Sequence, residues 1–293
     1  MDLSFIIVNY NTPLLVEECI DSLLENSSLK NNMKFEVIVI DNKSKDDSVY
    51  FLSEKYINHK NIIIVDSGEN NGFGKGNNLG AFYSKGKYLC CINSDTISKK
   101  TDYQKLLNEL ERNKEIGLLG TKVLNKDGSI QSLGFNNPSV KNDFLLSFLF
   151  WNFNFMKKIR YRSYKNKGLF NVDWVSGCFF LVLKENFEKV NGFDEKIFMY
   201  SEDLDLSIRI NNIGLKNFVL DTTEIYHLHG GSTNKKKLSL RKMLKEKNNY
   251  FYVIKKNNLL NYVEILLIKS FTKIHVLMLY ILKNTLRKIK VEN

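Results

Sequence analysis

The sequence predicts an α/β protein with a mostly parallel central sheet, helices on both faces and a basic helical tail. Three observations carry this reading. Over roughly the first 120 residues, short runs rich in Val and Ile alternate with helical patterns, and continuous apolar runs suit parallel strands covered on both faces. Asn, Asp and Gly gather just past the ends of those runs, as turns require. Beyond Asn234 the composition shifts to Lys235-Lys236-Lys237 and then to helical segments reaching Asn293.

In order along the chain, Leu3 to Val8 is the first strand and Leu14 to Leu24 an amphipathic helix. Phe35 to Ile40 (Phe-Glu-Val-Ile-Val-Ile) is a second strand, and Ser48 to Ile57 a second helix. Asn61 to Val65 is a third strand, followed by a Gly-rich turn and a helix from about Gly76 to Lys85. Tyr88 to Ile92 is a fourth strand; after a helix around Leu106, Ile116 to Val123 is a fifth. The aromatic and basic stretch from Phe144 to Tyr164 has no clean period and reads as a mobile or substrate-facing segment. Order returns with a strand from Trp174 to Leu183 and, after the Gly-Phe-Asp turn at Gly192, a helix from Glu202 to Asn212. The expected division is a catalytic domain over 1–234 and a tail over 235–293.

Composition bounds the function. With 43% apolar and 12% aromatic residues in 293, the chain can build a core, which excludes a disordered chain or a coiled coil. A net charge of +11 asks for an anionic partner: nucleic acid, a membrane surface or a phosphorylated substrate. No RRM, zinc or helix-turn-helix signature accompanies the charge, and nucleic-acid binding leaves the acids at Asp41, Asp95 and Asp203 without a purpose. Cys19, Cys90, Cys91 and Cys178 form no CxxC pair and read as buried small hydrophobes in a reducing compartment. The N-terminus enters a strand with no basic segment or cleavage site, so an unprocessed cytoplasmic chain is expected.

In a parallel sheet, ligands bind beyond the carboxyl ends of the strands. The polar residues there are Asn9-Tyr10-Asn11, Asp41-Asn42, Asp66 to Gly76, and Asn93-Ser94-Asp95. A carboxylate at Asp95 can ligate a divalent cation that bridges a diphosphate, or serve as a turn or cap residue. Gly72-Phe73-Gly74-Lys75-Gly76-Asn77-Asn78 fits neither a dinucleotide fingerprint, because Asn77 stands where glycine is needed, nor a Walker loop, because Gly76 follows Lys75. Glu202 and Asp203 open a helix, where acids suit the macrodipole, and either could act as a general base. Pointing in different directions, at most one of them meets an acceptor. His227 and His229, two of the four histidines, share one loop and offer a metal ligand.

Taken together, Val8-Asn9-Tyr10-Asn11, Val39-Ile40-Asp41-Asn42-Lys43-Ser44, Asn71-Gly72-Phe73-Gly74 and Asn77-Asn78-Leu79-Gly80 resemble family 2 glycosyltransferases of the GT-A fold. Asn93-Ser94-Asp95-Thr96 stands in place of that family's D-x-D motif, with Asn93 where the first acid would be. Trp174-Val175-Ser176-Gly177-Cys178, Gly192-Phe193-Asp194-Glu195, Phe198-Met199-Tyr200, Glu202-Asp203-Leu204-Asp205-Leu206 and His227-x-x-Gly230-x-Ser232 complete a pattern similar to the rhamnosyltransferase-like branch. The resemblance covers about residues 3 to 250. It implies a nucleotide pocket lined by Val8, Asn9, Tyr10, Asn11, Asn42, Gly72 and Ser94, with Asp41 on the pyrimidine ring and Asn77 and Asn78 near the ribose or diphosphate. It further implies Mg²⁺ or Mn²⁺ on Asp95 and His227, held less tightly for want of the first acid, and Asp203 rather than Glu202 as the base. The implied reaction is inverting transfer of a sugar from a nucleotide donor to a glycan hydroxyl on an isoprenoid carrier. The branch favours dTDP-L-rhamnose; UDP-galactose, UDP-glucose and UDP-N-acetylhexosamines stay open, as does a degenerate fold that only binds sugars or partners.

In the tail, Lys269, Lys273 and His275 interrupt the apolar stretches Leu266-Leu267-Ile268 and Val276 to Tyr280, which excludes a membrane span. The pattern suits an interfacial helix on an anionic membrane, giving a peripheral enzyme on the inner face of the cell membrane. The alternative is a helical pair packed on the domain or on a second copy in a homodimer.

Overall fold

The computed structural model describes residues 1–30, 33–142, 168–228 and 240–292. Its centre is a single mixed sheet. Strands β1 (Leu3–Asn9), β2 (Phe35–Asp41), β3 (Ile62–Asp66) and β4 (Tyr88–Asn93) run parallel in the order β3-β2-β1-β4. Beside β4, the antiparallel strand β9 (Phe179–Leu183) leads to β6 (Ile116–Leu124) and then to β10 (Lys216–His227), which is parallel to β6. The short β5 (Thr96–Ile97) pairs with the end of β10, β7 (Ile130–Ser132) with β6, and β8 (Leu169–Val172) with β10. The parallel half is the one the apolar runs predict. The reversal at β9 is non-local, and no local pattern announces it.

Helices α1 (Pro13–Leu24), α2 (Ser27–Lys30), α3 (Ser48–Lys55), α4 (Gly72–Tyr83), α5 (Tyr103–Arg112), α6 (Lys184–Lys189) and α7 (Glu202–Asn212) cover the sheet. In α1, proline fits the first turn, where an amide would lack a partner anyway. Val16, Cys19, Ile20 and Leu23 recur at helical spacing and are fully buried. The Asp102 carboxylate caps α5 by accepting from the Lys105 amide at 3.0 Å. Two clusters fill the two faces. One is built on Phe5, Ile7, Val37, Val39, Tyr103 and Phe179, the other on Ile6, Leu89, Phe180, Phe193, Leu206 and Ile210. All four cysteines are buried and free.

Two expected boundaries move. The glycine run after β3 is the first turn of α4 rather than a loop before it. Those glycines serve close packing: a Cβ on Gly80 would lie 2.3 Å from Ile6 Cγ2, so helix and strand meet backbone to side chain. The strand expected from Trp174 begins only at Phe179. The chain from Trp174 to Cys178 turns aside, because Gly177 donates its amide to Asp203 rather than to a neighbouring strand. The stretch 144–164 lies outside the described residues, apart from any test.

By contact density the chain forms two units, Met1–Phe135 with Ser163–Asn234, and Asn136–Arg162 with Lys235–Asn293. The first contains the sheet. In the second, α8 (Leu240–Lys256) and α9 (Tyr262–Glu292) pack together, with Lys269 Nζ 5.5 Å from the centre of the Phe251 ring. No helix among the described residues is long and apolar enough to cross a membrane.

Candidate active site

The carboxyl ends of β1 and β2 lie side by side, with Asn9 in register with Asp41. Asn9 Nδ2 donates to Asp41 Oδ2 at 2.6 Å, and Ser44 Oγ donates to the same oxygen at 2.6 Å. The Ser44 amide donates to Asp41 Oδ1 at 2.7 Å, and the Asn11 amide to Ser44 Oγ at 2.8 Å. Asn11 and Lys43 both adopt left-handed backbone, φ 56° each. This tight polar knot leaves Asp41 almost wholly buried and Tyr10 40% exposed at the rim, above the half-buried Val8. Asn42 donates from Nδ2 to the Gly72 carbonyl at 2.8 Å, while its Oδ1 is buried with no partner. Asn42 lines a cleft of about 330 Å³ together with Ser67, Asn71, Lys75, Gly76 and Glu195. An unsatisfied buried acceptor in such a cleft calls for a donor from a ligand.

Across the sheet, Asp95 and His227 meet. The β5–β10 pairing sets His227 opposite Thr96, bringing Nε2 to 3.1 Å from Asp95 Oδ1. Asn93 Nδ2 approaches the same Nε2 at 3.3 Å, and the Gln131 side-chain amide lies 3.1 Å from Nδ1. Both Asp95 and His227 are buried, as is Ser94. Among the described residues, no group of three His, Cys, Asp or Glu could hold a metal ion. A carboxylate and an imidazole are donor types that a divalent cation accepts, and two such groups leave its other positions to be filled from elsewhere. His229 lies outside the described residues.

Asp203 stands at the start of α7. Its Oδ2 accepts from the Gly177 amide at 2.9 Å and its Oδ1 from the Leu204 amide at 2.9 Å. The link from Gly177 back to the Asp95–His227 pair is short, since the Cys178 carbonyl accepts from the Asn93 amide at 2.9 Å. Burial pushes the Cys178 thiol up to about 12, and the charges of both Asp95 and Asp203 add to the shift. Glu202 is buried, and its Oε2 has no partner. Burial, and then the charge of Asp203, raise the Glu202 carboxyl to about 8. Burial raises Asp203 as well, but the two backbone amides oppose it by stabilising the carboxylate. The adjacent acids thus differ in kind: Glu202 keeps its proton at neutral pH, and Asp203 is equipped to carry charge.

Asn78 lines the same cleft as Asn42, and Asn77 lies beneath it in α4. Asn77 is fully buried within α4, donating to its own Phe73 carbonyl at 2.9 Å. Asn78 clamps the Gly192 turn by donating to the Phe193 carbonyl at 3.0 Å and accepting its amide at 2.8 Å. The sequence reading assigned no role to Ser44, Gln131 or the Gly177 amide. Ser44 had a signal, because a hydroxyl three residues after an Asp at a strand end favours a side-chain turn. Gln131 had none, since it reaches His227 only through the β6–β7 pairing.

The model of "Glycosyl transferase family 2" matches residues 4–190, which takes in the strand ends carrying Asn9, Asp41 and Asp95. The chain belongs to glycosyltransferase family 2. A second model, "N-terminal domain of galactosyltransferase", matches residues 158–230. The transferase is 31% identical over 223 residues to the rhamnosyltransferase WbbL of Escherichia coli, covering 73% of this chain and 80% of that one. It is 26% identical over 229 residues to the N-acetylglucosaminyl-diphospho-decaprenol L-rhamnosyltransferase of Mycobacterium tuberculosis, covering 74% of each. Among solved structures it resembles the Pyrobaculum calidifontis mannosyltransferase in complex with GDP-Man and Mn²⁺, with a TM-score of 0.61 and 14% identity. That match covers 94% of this chain and 68% of the other. The family, the GT-A fold and the likeness to rhamnosyltransferases read from the motifs are all borne out.

Proposed function

We propose that the transferase moves L-rhamnose from dTDP-L-rhamnose, with inversion, onto a hydroxyl of a lipid-linked cell-surface glycan intermediate. The observation that carries this is the convergence of Asp95, His227 and Asp203 through Asn93, Gly177 and Cys178. The likeness to the two rhamnosyltransferases supports the sugar, and the N-acetylglucosaminyl-diphospho-decaprenol acceptor of the mycobacterial relative supports a diphospho-polyprenol acceptor here. Asp41, held in place by Asn9 and Ser44, and Asn42 offer acceptor atoms for a pyrimidine N–H or a ribose hydroxyl. Asp203 takes the proton of the acceptor hydroxyl as its oxygen attacks the anomeric carbon, and the nucleoside diphosphate departs from the opposite face. Asp95 and His227 would hold Mg²⁺ or Mn²⁺, which supplies neutralisation of charge on the diphosphate. A second reading, a UDP-hexose donor, is favoured by the galactosyltransferase-domain match over 158–230.

A nucleotide-sugar panel separates these readings. Ligands of the native state raise the melting temperature by mass action, so no acceptor is needed. A Mn²⁺-dependent shift with dTDP-rhamnose, lost in Asp95→Ala, is the expected result. A shift confined to UDP-galactose or UDP-glucose would move the donor to the second reading. No shift with any nucleotide would remove the donor proposal.

The same proposal places the 235–293 tail on the membrane's inner face. On α9, Val263, Leu266, Leu267, Ile274, Leu277 and Ile281 recur at helical spacing and are each 43% or more exposed, as an interfacial helix requires. The full chain should sediment with phosphatidylglycerol vesicles at low salt and be released at high salt. A chain left in the supernatant at low salt would instead favour a second copy as the partner of this face.

A further inference from the structure

The loop before Glu202 and Asp203 has an unusual division of labour between backbone and side chains. Ile197 anchors it, buried to 1% exposure. The Phe198 carbonyl accepts the Phe73 amide at 3.0 Å, tying the loop to the first turn of α4. Gly72 permits this approach, since a Cβ there would lie 2.0 Å from the Phe198 oxygen. Tyr200 and Ser201 then take left-handed backbone, φ 69° and 71°, immediately before Glu202. Two consecutive non-glycine residues in that region store strain that the surrounding contacts must hold in place. The main chain is fixed, yet the side chains of Phe198, Met199 and Tyr200 are 51%, 42% and 46% exposed.

Three successive exposed large apolar side chains on a rigid loop seldom serve the core, and such patches mark binding surfaces. Their position selects the ligand. The loop runs directly into Asp203, the group that meets the acceptor hydroxyl. The hydrophobic C–H face of a pyranose ring stacks on an aromatic ring, leaving its hydroxyls free at the edge for a base to reach.

We propose that Phe198, Met199 and Tyr200 form the acceptor subsite, an apolar platform that holds the terminal sugar ring of the glycan with one hydroxyl beside Asp203. This rests on the transferase reading above, with Asp203 as base. The platform contributes to acceptor binding and orientation, and the donor is held separately at the ends of β1, β2 and β4.

The test uses the full chain, dTDP-rhamnose with Mn²⁺, and a short-chain prenyl-diphosphate-linked N-acetylglucosamine as acceptor. In Phe198→Ala the acceptor KM should rise about tenfold, since an aromatic contact is worth roughly that factor. Phe198→Tyr should restore it. The donor-induced rise in melting temperature should be unchanged in both variants, which also shows that they fold. Direct binding of the same acceptor, followed by calorimetry on the donor-free protein, should weaken in parallel. Unaltered acceptor binding and KM in both Phe198→Ala and Tyr200→Ala would overturn the platform. So would a KM change for the donor equal to that for the acceptor. If the wild-type chain turns over no donor, the transferase reading fails, and the calorimetric comparison still decides whether this loop binds the glycan.

Discussion

Asp203→Asn is expected to lower turnover about 10³-fold, the middle of the range for a general base, with donor-induced stabilisation retained. The change keeps shape and removes basicity. Asn can accept only one of the amides from Gly177 and Leu204, so a loss of stability accompanies it, about 1–3 kcal/mol for one buried donor left unpaired. Single-turnover rates measured beside thermal shifts distinguish the two effects, and wild-type turnover in this variant would sink the assignment. Glu202→Gln serves as the neighbouring control, and its effect depends on pH. Glu202 is protonated in both states below its ordinary value of 4.5 and holds its proton up to about 8 only when folded. The native state therefore binds more protons across that window, and this group's contribution to stability falls as pH rises from 4.5 through 8. Relative to wild type, Glu202→Gln should gain stability over that window and level off above it. Parallel pH–stability curves would show that Glu202 ionises freely in the fold.

The second large effect is expected at Gly72→Ala. Alanine would have to adopt φ +79°, which alone costs about 1–2 kcal/mol. Its Cβ would also meet backbone, 2.0 Å from the Phe198 oxygen, and backbone cannot swing aside as a flexible side chain does. The combined cost is on the order of 3 kcal/mol or more, a drop of about 10 °C in a protein of this size. Gly68→Ala is the comparison, because Gly68 has φ +73° with nothing within 4 Å. It should lose only the conformational part. Equal melting temperatures in the two variants would mean that the Gly72–Phe198 approach is not held in solution. Because that approach fixes the loop before Asp203, Gly72→Ala should weaken acceptor turnover more than donor binding.

Much of this protein was legible in its residues, and the reasons are local. Leu3 to Val8 and Phe35 to Ile40 are strands because short apolar runs rich in Val and Ile suit strands buried on both faces. The Glu202–Asn212 helix falls where the sequence placed it, since acids in a first turn and apolar residues at helical spacing act within a few residues. Asp41, Asp95 and Asp203 stood out because a charged group at the end of a buried run needs a reason to be there. The family followed from their order along the chain.

Tertiary structure decided what depends on approach between distant segments. The glycines after Asn71 read as a loop but build a helix, because what selects them is the nearness of Ile6 and of the Phe198 carbonyl. The turn at Gly177 replaces an expected stretch of strand because Asp203, 26 residues further on, claims its amide. Asn77 and Asn78 also have structural bonds that the sequence did not show, to the carbonyls of Phe73 and Phe193. Helix geometry alone does not separate Glu202 from Asp203; only the family resemblance favoured the second acid. What favours Asp203 in the proposed role is the pair of amides from Gly177 and Leu204 on its carboxylate, and only the folded chain brings Gly177 there.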